Sequence, residues 1–330
     1  MKPVAVLART DCFEEFARWE NSPAFAAGNR HPFFSVVGRH YYAETYDQDV
    51  DVSFAVVSGN EPLMLVFCNI HERILGLYGQ PMILLLRAGI DQPNHALAIG
   101  AAVAELDRLA GQHGAREVMV REDLVGSLLS VLGHDCAARG ATAEVRQHAF
   151  CDLALDEADI HRCVRKSFRS LINTGRRNMR MAYVNADNPD RSLFDAYGEF
   201  HTRIAGRVTR SERSWQAMFD WIVGGGGELA LAYHNDNDLV AGTMTTDGTA
   251  ISYYASGVYD RGQFDKPLAH FPVYDAILRS RARKMQRYDL GVLLPKGAGT
   301  DKEHSIGYFK RGFATAVDMH LVWTWRTGCT

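Results

Sequence analysis

The sequence predicts an α+β protein built from two tandem domains, each a mixed, mostly antiparallel sheet flanked by helices. Three observations carry that expectation. The chain has 330 residues, more than a single compact core ordinarily holds. Apolar residues make up 47% and charged residues 23%, a balance that allows sizeable cores and excludes a disordered chain. One order of elements, hairpin, strand, helix, strand, occurs twice.

The first occurrence opens with Val52–Val57 and Pro62–Cys68, apolar runs joined by Ser58-Gly59-Asn60-Glu61. Gly and Asn reach the backbone angles of a tight turn, so this reads as a hairpin. Pro81–Leu86 is a further strand. His95–Leu109 repeats Ala and Leu at helical spacing and ends near Gly111. Glu117–Val120 reads as a buried strand, Leu124–Leu132 as a second helix and Glu144–Leu153 as a closing strand.

In the second occurrence, Asp190–Ile204 and Glu212–Ile222 read as helices, and Gly224 to Gly227 breaks the chain. Leu229–Tyr233 and Leu239–Thr245 form a hairpin around Asn235-Asp236-Asn237-Asp238, and Ile251–Val258 follows the turn Asp247-Gly248. Pro272–Met285 is a helix begun by a proline, whose missing N–H and fixed φ suit a first turn. Tyr288–Leu293 and His320–Trp325 are the last strands. The boundary falls near Leu153–Asp159, giving domains over residues 1–155 and 156–330. The halves differ residue for residue, so the repeat is one of topology, and chance mixing of elements gives the same order.

The net charge of −3 argues against a general nucleic-acid binder, while a local basic patch still suits a phosphate-bearing ligand. The six cysteines, Cys12, Cys68, Cys136, Cys151, Cys163 and Cys329, form no C-x-x-C pair and sit near no His cluster at zinc-ligand spacing. They read as reduced thiols of a cytoplasmic protein without a metal site. Met1 to Glu14 lacks the apolar core of a signal peptide, and runs such as Met82–Leu86 are too short to span a bilayer. Nothing in the sequence sets the oligomeric state.

Five segments are rich in chemistry. From Ile160 to Ala186 there is no acidic residue, and on a continuous helix Arg162, Arg165, Lys166 and Arg169 share one face opposite Phe168, Leu171 and Ile172. That face is either solvated and paired with acids elsewhere or a site for the phosphates of a nucleotide or a tRNA. His201 and Arg207 end the next helix, where they complement its dipole or meet a ligand. In Ile251–Tyr259, alternation puts Tyr254 and Ser252 on the face opposite Tyr253; these tyrosines either form core and sheet surface or line a pocket on one face. His270 stands at a helix entrance as a structural residue or a general base. Gly297-Ala298-Gly299-Thr300 does not match a phosphate-binding loop, and it leads to Tyr308-Phe309-Lys310-Arg311, two cations among aromatics. A fixed cation at an acyl-transfer centre would stabilise a developing oxyanion.

Taken in order, these segments resemble a known group. Arg165-Lys166-Ser167-Phe168-Arg169-x-x-Ile172, the helix with Arg207, Tyr253–Tyr259, Tyr288-Asp289-Leu290-Gly291 and Phe309-Lys310-Arg311-Gly312-Phe313 resemble the FemAB group of the GNAT superfamily. The resemblance covers Cys151 to Phe313 and is weak before residue 150. It implies two tandem GNAT-like domains and transfer of an acyl or aminoacyl group onto an amine, without metal or resident cofactor. It matches Phe309 and Lys310 to the Phe-Lys pair at the aminoacyl-acceptor site. Arg165, Lys166, Arg169, Arg207, Tyr254 and Arg311 are then substrate-binding candidates, and His270, Asp289 or the substrate itself takes the amine proton.

The donor implied is aminoacyl-tRNA or acyl-CoA as a co-substrate. After the third strand of the second half, Arg261-Gly262-Gln263-Phe264-Asp265-Lys266 departs from the Arg/Gln-x-x-Gly-x-Gly/Ala run of acyl-CoA enzymes. The helical hairpin that some peptidoglycan members use for tRNA has no counterpart either. The expected acceptor is an amine that is nucleotide-linked or belongs to a cell-wall, glycan or natural-product precursor. Two other readings stand beside this one: an acyl-CoA-dependent GNAT N-acyltransferase, and a non-enzymatic scaffold that binds a sugar nucleotide.

Overall fold

The computed structural model describes residues 3–26, 31–124, 129–234, 238–263, 266–295 and 297–326. In chain order its elements are β1 (Val4–Ala8), α1 (Phe13–Glu20), α2 (Pro23–Ala26), α3 (Val36–Thr45), β2 (Val50–Asp51), β3 (Phe54–Ser58), β4 (Glu61–Val66), β5 (Asn69–His71), β6 (Ile74–Gly76), β7 (Met82–Leu86), α4 (Gln92–His113), β8 (Glu117–Asp123), α5 (Val131–Ala138) and β9 (Thr142–Asp152). They continue with α6 (Glu157–Cys163), α7 (Lys166–Asn178), β10 (Met179–Val184), α8 (Arg191–Ala205), α9 (Glu212–Trp221), β11 (Gly227–His234), β12 (Asp238–Asp247), β13 (Ile251–Tyr259), α10 (His270–Ala282), β14 (Arg287–Leu293), α11 (Asp301–Arg311) and β15 (Ala316–Arg326).

These elements form two compact units that are not contiguous in sequence. The first holds Met1–Asn29, Tyr46–Arg146 and Met319–Thr330; the second holds Arg30–Thr45 and Gln147–Asp318. A single break near Leu153–Asp159 therefore does not describe the packing: strand pairing and buried faces, rather than adjacency along the chain, assign each segment.

In the first unit the strand order is β1, β3, β4, β7, β8, β15. The β3/β4 hairpin and β7 pair antiparallel, and β8 then runs parallel to β7. A parallel neighbour needs a crossover, which α4 supplies. That helix starts where Asp91 accepts the Asn94 N–H at 2.8 Å, and it ends at left-handed Gly114. Its buried face carries Ala98, Ala102, Val103 and Leu106. The Trp323 indole of β15 donates to buried Glu122 on β8 at 2.6 Å, which fixes the last strand to the sheet.

The second unit repeats this order: β10, β11, β12, β13, β14, β9, with β13 parallel to β14 and α10 as the crossover. One core lies among Phe168, Ile172, Tyr274, Tyr288, Leu290 and Phe313, and another among Phe194, Tyr197, Trp221, Leu231 and Met244. Gly242 lets α8 close on β12, because a Cβ there would meet the Tyr197 ring at 2.6 Å. The expectation of two mixed, mostly antiparallel sheets flanked by helices, in the order hairpin, strand, helix, strand, describes both units.

Several local readings are corrected. His320–Trp325 closes the first unit's sheet against β8, not the second's. The helix expected over Leu124–Leu132 begins only at Val131, with Ser130 as its N-cap; residues 125–128 lie outside the described residues. The helix assigned to Pro272–Met285 starts earlier, at His270, and Pro272 is its third residue. The basic segment is two helices, because Val164 and Arg165 adopt extended ψ near 130° and interrupt the helical path. Asn235–Asn237 of the expected hairpin turn, and Cys329, lie outside the described residues. Five cysteines, Cys12, Cys68, Cys136, Cys151 and Cys163, are free thiols. Among the described residues no helix is long and apolar enough to cross a membrane.

Candidate functional site

The site follows from a sheet that comes apart. In the second unit β13 and β14 are in register at only three pairs: Ile251 with Arg287, Ser252 with Tyr288, and Tyr253 with Asp289. Beyond that point β14 shifts register against β9 between Asp289 and Gly291, and Gly291 takes a left-handed φ of +93°. A residue with a Cβ is disfavoured there. The rest of β13, from Tyr254 to Tyr259, continues without a paired neighbour on that side, and a cavity of ≈ 870 Å³ lies along it. Its walls are β13, the end of α8 and the inner face of α11.

Among the described residues no aspartate or glutamate lines this cavity, whereas Arg261, Lys302 and Lys310 do. A second hollow of ≈ 910 Å³, between α8 and α9, is a wide surface groove lined by Asp195, Glu199 and Glu212 as well as arginines. Its mixed charge defines no ligand, so the cavity beside β13 is the candidate.

Lys310 supplies the polar centre of that cavity. Its ammonium lies 5.8 Å from the centroid of the Tyr254 ring. It also lies 2.9 Å from where a Cβ on Gly291 would be. Burial lowers the Lys310 pKa, and the nearby Asp289 carboxylate opposes that fall.

Asp289 is 3% exposed. Its carboxylate accepts the Gly291 N–H at 2.7 Å and faces His148 Nδ1 at 3.3 Å, His31 Nε2 at 3.9 Å and Arg287 Nη2 at 3.7 Å. Burial alone would raise its pKa. The His148 hydrogen bond and charge, with His31 and Arg287, hold it well below the usual carboxylate range.

Above Lys310 two buried phenols meet: Tyr254 Oη and Tyr259 Oη are 2.7 Å apart. Burial pushes the Tyr259 phenol up to about 12 and Tyr254 well above its ordinary value, so both are protonated at neutral pH. Gly257 makes the pair possible. A Cβ there would stand 1.8 Å from Tyr254 Oη and 2.7 Å from Tyr259 Oη. Gly257→Ala is therefore expected to drive the phenols apart and cost about 1–3 kcal/mol as an overpacked interior. Thermal unfolding checks this, and a melting temperature equal to the parent's would show that the pair has room to move.

Neither a protein-family model nor a curated protein sequence matches the chain. Solved structures do match in shape. FemX aligns with a TM-score of 0.66 at 12% identity, over 97% of this chain and 96% of FemX. A tandem GNAT protein from the clavulanic acid biosynthesis pathway gives 0.60 at 17% identity, over the whole of both chains. L-PGS from Bacillus licheniformis gives 0.57 at 12% identity, over 93% of this chain and 91% of that one. The fold is FemAB-like and of the GNAT type.

Within this FemAB-like fold the residues singled out in the sequence separate into two groups. Lys310, Tyr254 and Phe309 line the cavity, and Asp289 lies beneath it. His270 does not reach the lining. Its ring is walled in by Phe168, Phe309 and Phe313, at centroid distances of 4.5, 5.4 and 6.3 Å, and burial lowers its pKa.

Arg165 stacks on the Tyr308 ring at 3.6 Å and donates to the Tyr308 carbonyl, joining α7 to α11. Arg169 donates to the carbonyls of Val164 and Arg162, closing the break between the two basic helices. Lys166, Arg207 and Arg311 are exposed and outside the lining. The single basic face is thus dissolved, because two of its cations hold helices together.

The Gly-rich loop serves a cap rather than a phosphate. Thr300 and Glu303 exchange hydrogen bonds with each other's backbone N–H at the start of α11.

Sequence reasoning missed His31, His148, Tyr259, Arg287 and Gly257. Tyr259 and Gly257 stood inside the tyrosine strand, where a glycine between tyrosines marks a close approach. His31 lies in a loop far from any recognised motif and enters the second unit only through tertiary packing, with its ring 4.9 Å from that of Tyr253.

Proposed function

We propose that this chain is an acyl- or aminoacyltransferase that moves its group onto an amine, with transfer at Lys310 in the cavity beside β13. One observation carries the reading: the Lys310 ammonium sits where the parallel strands part, in a cavity that no acid among the described residues lines. The named activities of similar folds, among them a tandem GNAT protein and a lysylphosphatidylglycerol synthetase domain, support the class.

In this reading the amine and the donor carbonyl are held side by side, and positioning supplies much of the rate. The amine nitrogen attacks the carbonyl carbon, a C–N bond forms, and negative charge grows on the carbonyl oxygen. Lys310 faces that charge. The C–O or C–S bond of the donor then breaks, and the amine proton passes to the departing oxygen or sulfur, directly or through water. Asp289 is too weak a base for this step, and His270 is enclosed by rings, so the substrate carries its own proton.

The crossover helices bear on the donor. At α4 the Asp91 carboxylate accepts the Asn94 N–H, and Pro93 has none to offer. After β13, Asp260 accepts the Gly262 N–H at 2.9 Å. The α10 start carries Pro272, which has no N–H, and packs its His270 among phenylalanines. The run from Arg261 to Lys266 departs from the Arg/Gln-x-x-Gly-x-Gly/Ala pattern of acyl-CoA enzymes, which favours an aminoacyl ester, as in charged tRNA, over an acyl thioester. Arg261 and Lys302 suit the phosphates of such a ligand.

The proposed acceptor is a small or nucleotide-linked amine. The test is incubation with mixed amine acceptors and either charged tRNA or acyl-CoA, read by mass spectrometry of acylated products. Product with charged tRNA is the expected result. Product with acyl-CoA alone would replace this donor with the thioester. Binding of a nucleotide sugar with no acylated product from either donor would overturn the transferase reading.

A further inference from the structure

Asp289 emerged from the sequence as a candidate base, and the geometry gives it a different task. Its side chain is buried under the cavity. Four groups surround it from three segments: His148 on β9, His31 ahead of α3, and Arg287 and the Gly291 N–H on its own strand. Arg287 is itself anchored at Asp318 and lies over the Phe150 ring at 3.8 Å. His31 is oriented as well, since its Nδ1 accepts the Phe33 N–H at 3.2 Å and leaves Nε2 toward the carboxylate. A carboxylate with this many fixed partners does not move.

We propose that Asp289 is the positioning residue for Lys310: its locked carboxylate sets the left-handed turn at Gly291, and the Lys310 ammonium rests on that turn. The bond from Gly291 N–H to Asp289 spans the register shift of β14, the point at which β13 and β14 part. The absence of a Cβ at Gly291 is what lets the ammonium approach, because a methyl there would stand 2.9 Å from Nζ. Asp289 thus connects the opening of the sheet to the placement of Lys310. The inference rests on the proposed role of Lys310 for its functional meaning, but its geometry is tested without any substrate.

The charge of Asp289 gives a readout that a merely structural role would not move. Lys310 faces Asp289 from β14 and the phenols of Tyr253 and Tyr254 from β13. Tyr253 is neutral, its phenol pushed up to about 12 by burial, and Tyr254 is neutral as well. Asp289 is therefore the nearby anion that opposes the fall of the Lys310 pKa. His31 and His148 face Asp289 rather than the amine.

Asp289→Asn keeps the shape and removes the charge, so burial acts on Lys310 unopposed and its reactive neutral form grows. The experiment is brief acylation of the full chain with N-hydroxysuccinimidyl acetate at pH 8. Mass spectrometry then reads Lys310 against exposed Lys302 on the same helix. Several-fold faster labelling of Lys310 relative to Lys302 in Asp289→Asn is expected. Gly291→Ala, which retains the charge but disturbs the seat, should also raise Lys310 labelling. If Asp289→Asn does not fold, Gly291→Ala alone decides. Parent-like Lys310 labelling in a folded variant overturns the proposal. Faster labelling in a protein that shows no transfer would sustain the seat and reject the proposed function.

Discussion

Lys310→Met is expected to lower transfer by about 10²–10³-fold, the loss typical when one fixed oxyanion partner is removed. The measurement uses the donor and acceptor pair that supports product formation, with turnover compared at saturating substrate. The fold should survive for a physical reason. Burial lowers the Lys310 pKa, so the folded state disfavours the charged amine relative to the unfolded chain. Removing that amine relieves a cost at neutral pH, and methionine fills similar space with an apolar chain. The melting temperature should therefore stay level or rise while activity falls, as when a group is kept for function against stability. Unchanged turnover would end the assignment of Lys310. Loss of activity with a lowered melting temperature would indicate unfolding instead.

The largest stability effect is expected at Glu228, on β11 of the same sheet. Glu228 is 3% exposed and accepts from Arg279 Nε at 2.6 Å, Arg283 Nη1 at 3.2 Å and Asn185 Nδ2 at 2.8 Å. Arg283 also binds buried Asp247, so one network joins β11, β12 and α10. Glu228→Ala removes the carboxylate that Arg279 binds and leaves Arg283 with Asp247 alone, and breaking a buried pair costs about 3–5 kcal/mol. Both arginines keep some contact with water, at 35% and 27% side-chain exposure, so the low end, about 3 kcal/mol, applies. In a unit of this size that is a drop of about 6–12 °C in melting temperature.

The pH dependence has a definite sign. Burial would raise the Glu228 pKa, but the arginines and Asn185 hold it below its ordinary value. A carboxyl depressed on folding adds stability above its unfolded pKa and loses it as pH falls through the folded value. The parent should therefore weaken below about pH 4, near the unfolded glutamate value. Glu228→Gln should melt with a flatter acid limb, and an identical limb in both proteins would remove Glu228 from the account.

Much of the fold was legible because its signals are local. Ser58-Gly59-Asn60-Glu61 marked a hairpin whatever surrounds it, and the Ala and Leu spacing of α4 needs only helical geometry. The basic segment was misread for the same reason. Periodicity placed Arg162 and Arg169 on one face, but the path turns at Val164 and Arg165, where the Arg165 N–H bonds the Gly312 carbonyl instead of continuing a helix. That bond spans nearly half of the chain and leaves no local trace. His270 shows the same limit: a histidine at a helix entrance reads as available until three phenylalanines from two other helical segments close around it.

Sequence alone determined the class of element in most segments and the repeated order hairpin, strand, helix, strand, since each rests on neighbouring residues and spacing. Tertiary structure decided where β13 and β14 part, which groups surround Asp289, and that His31 joins them. It also decided that β15 closes the first unit and β9 the second. The physical reason is that strand registry and the burial of a charge are set by partners distant along the chain, and no local pattern of residues fixes which distant partner is met.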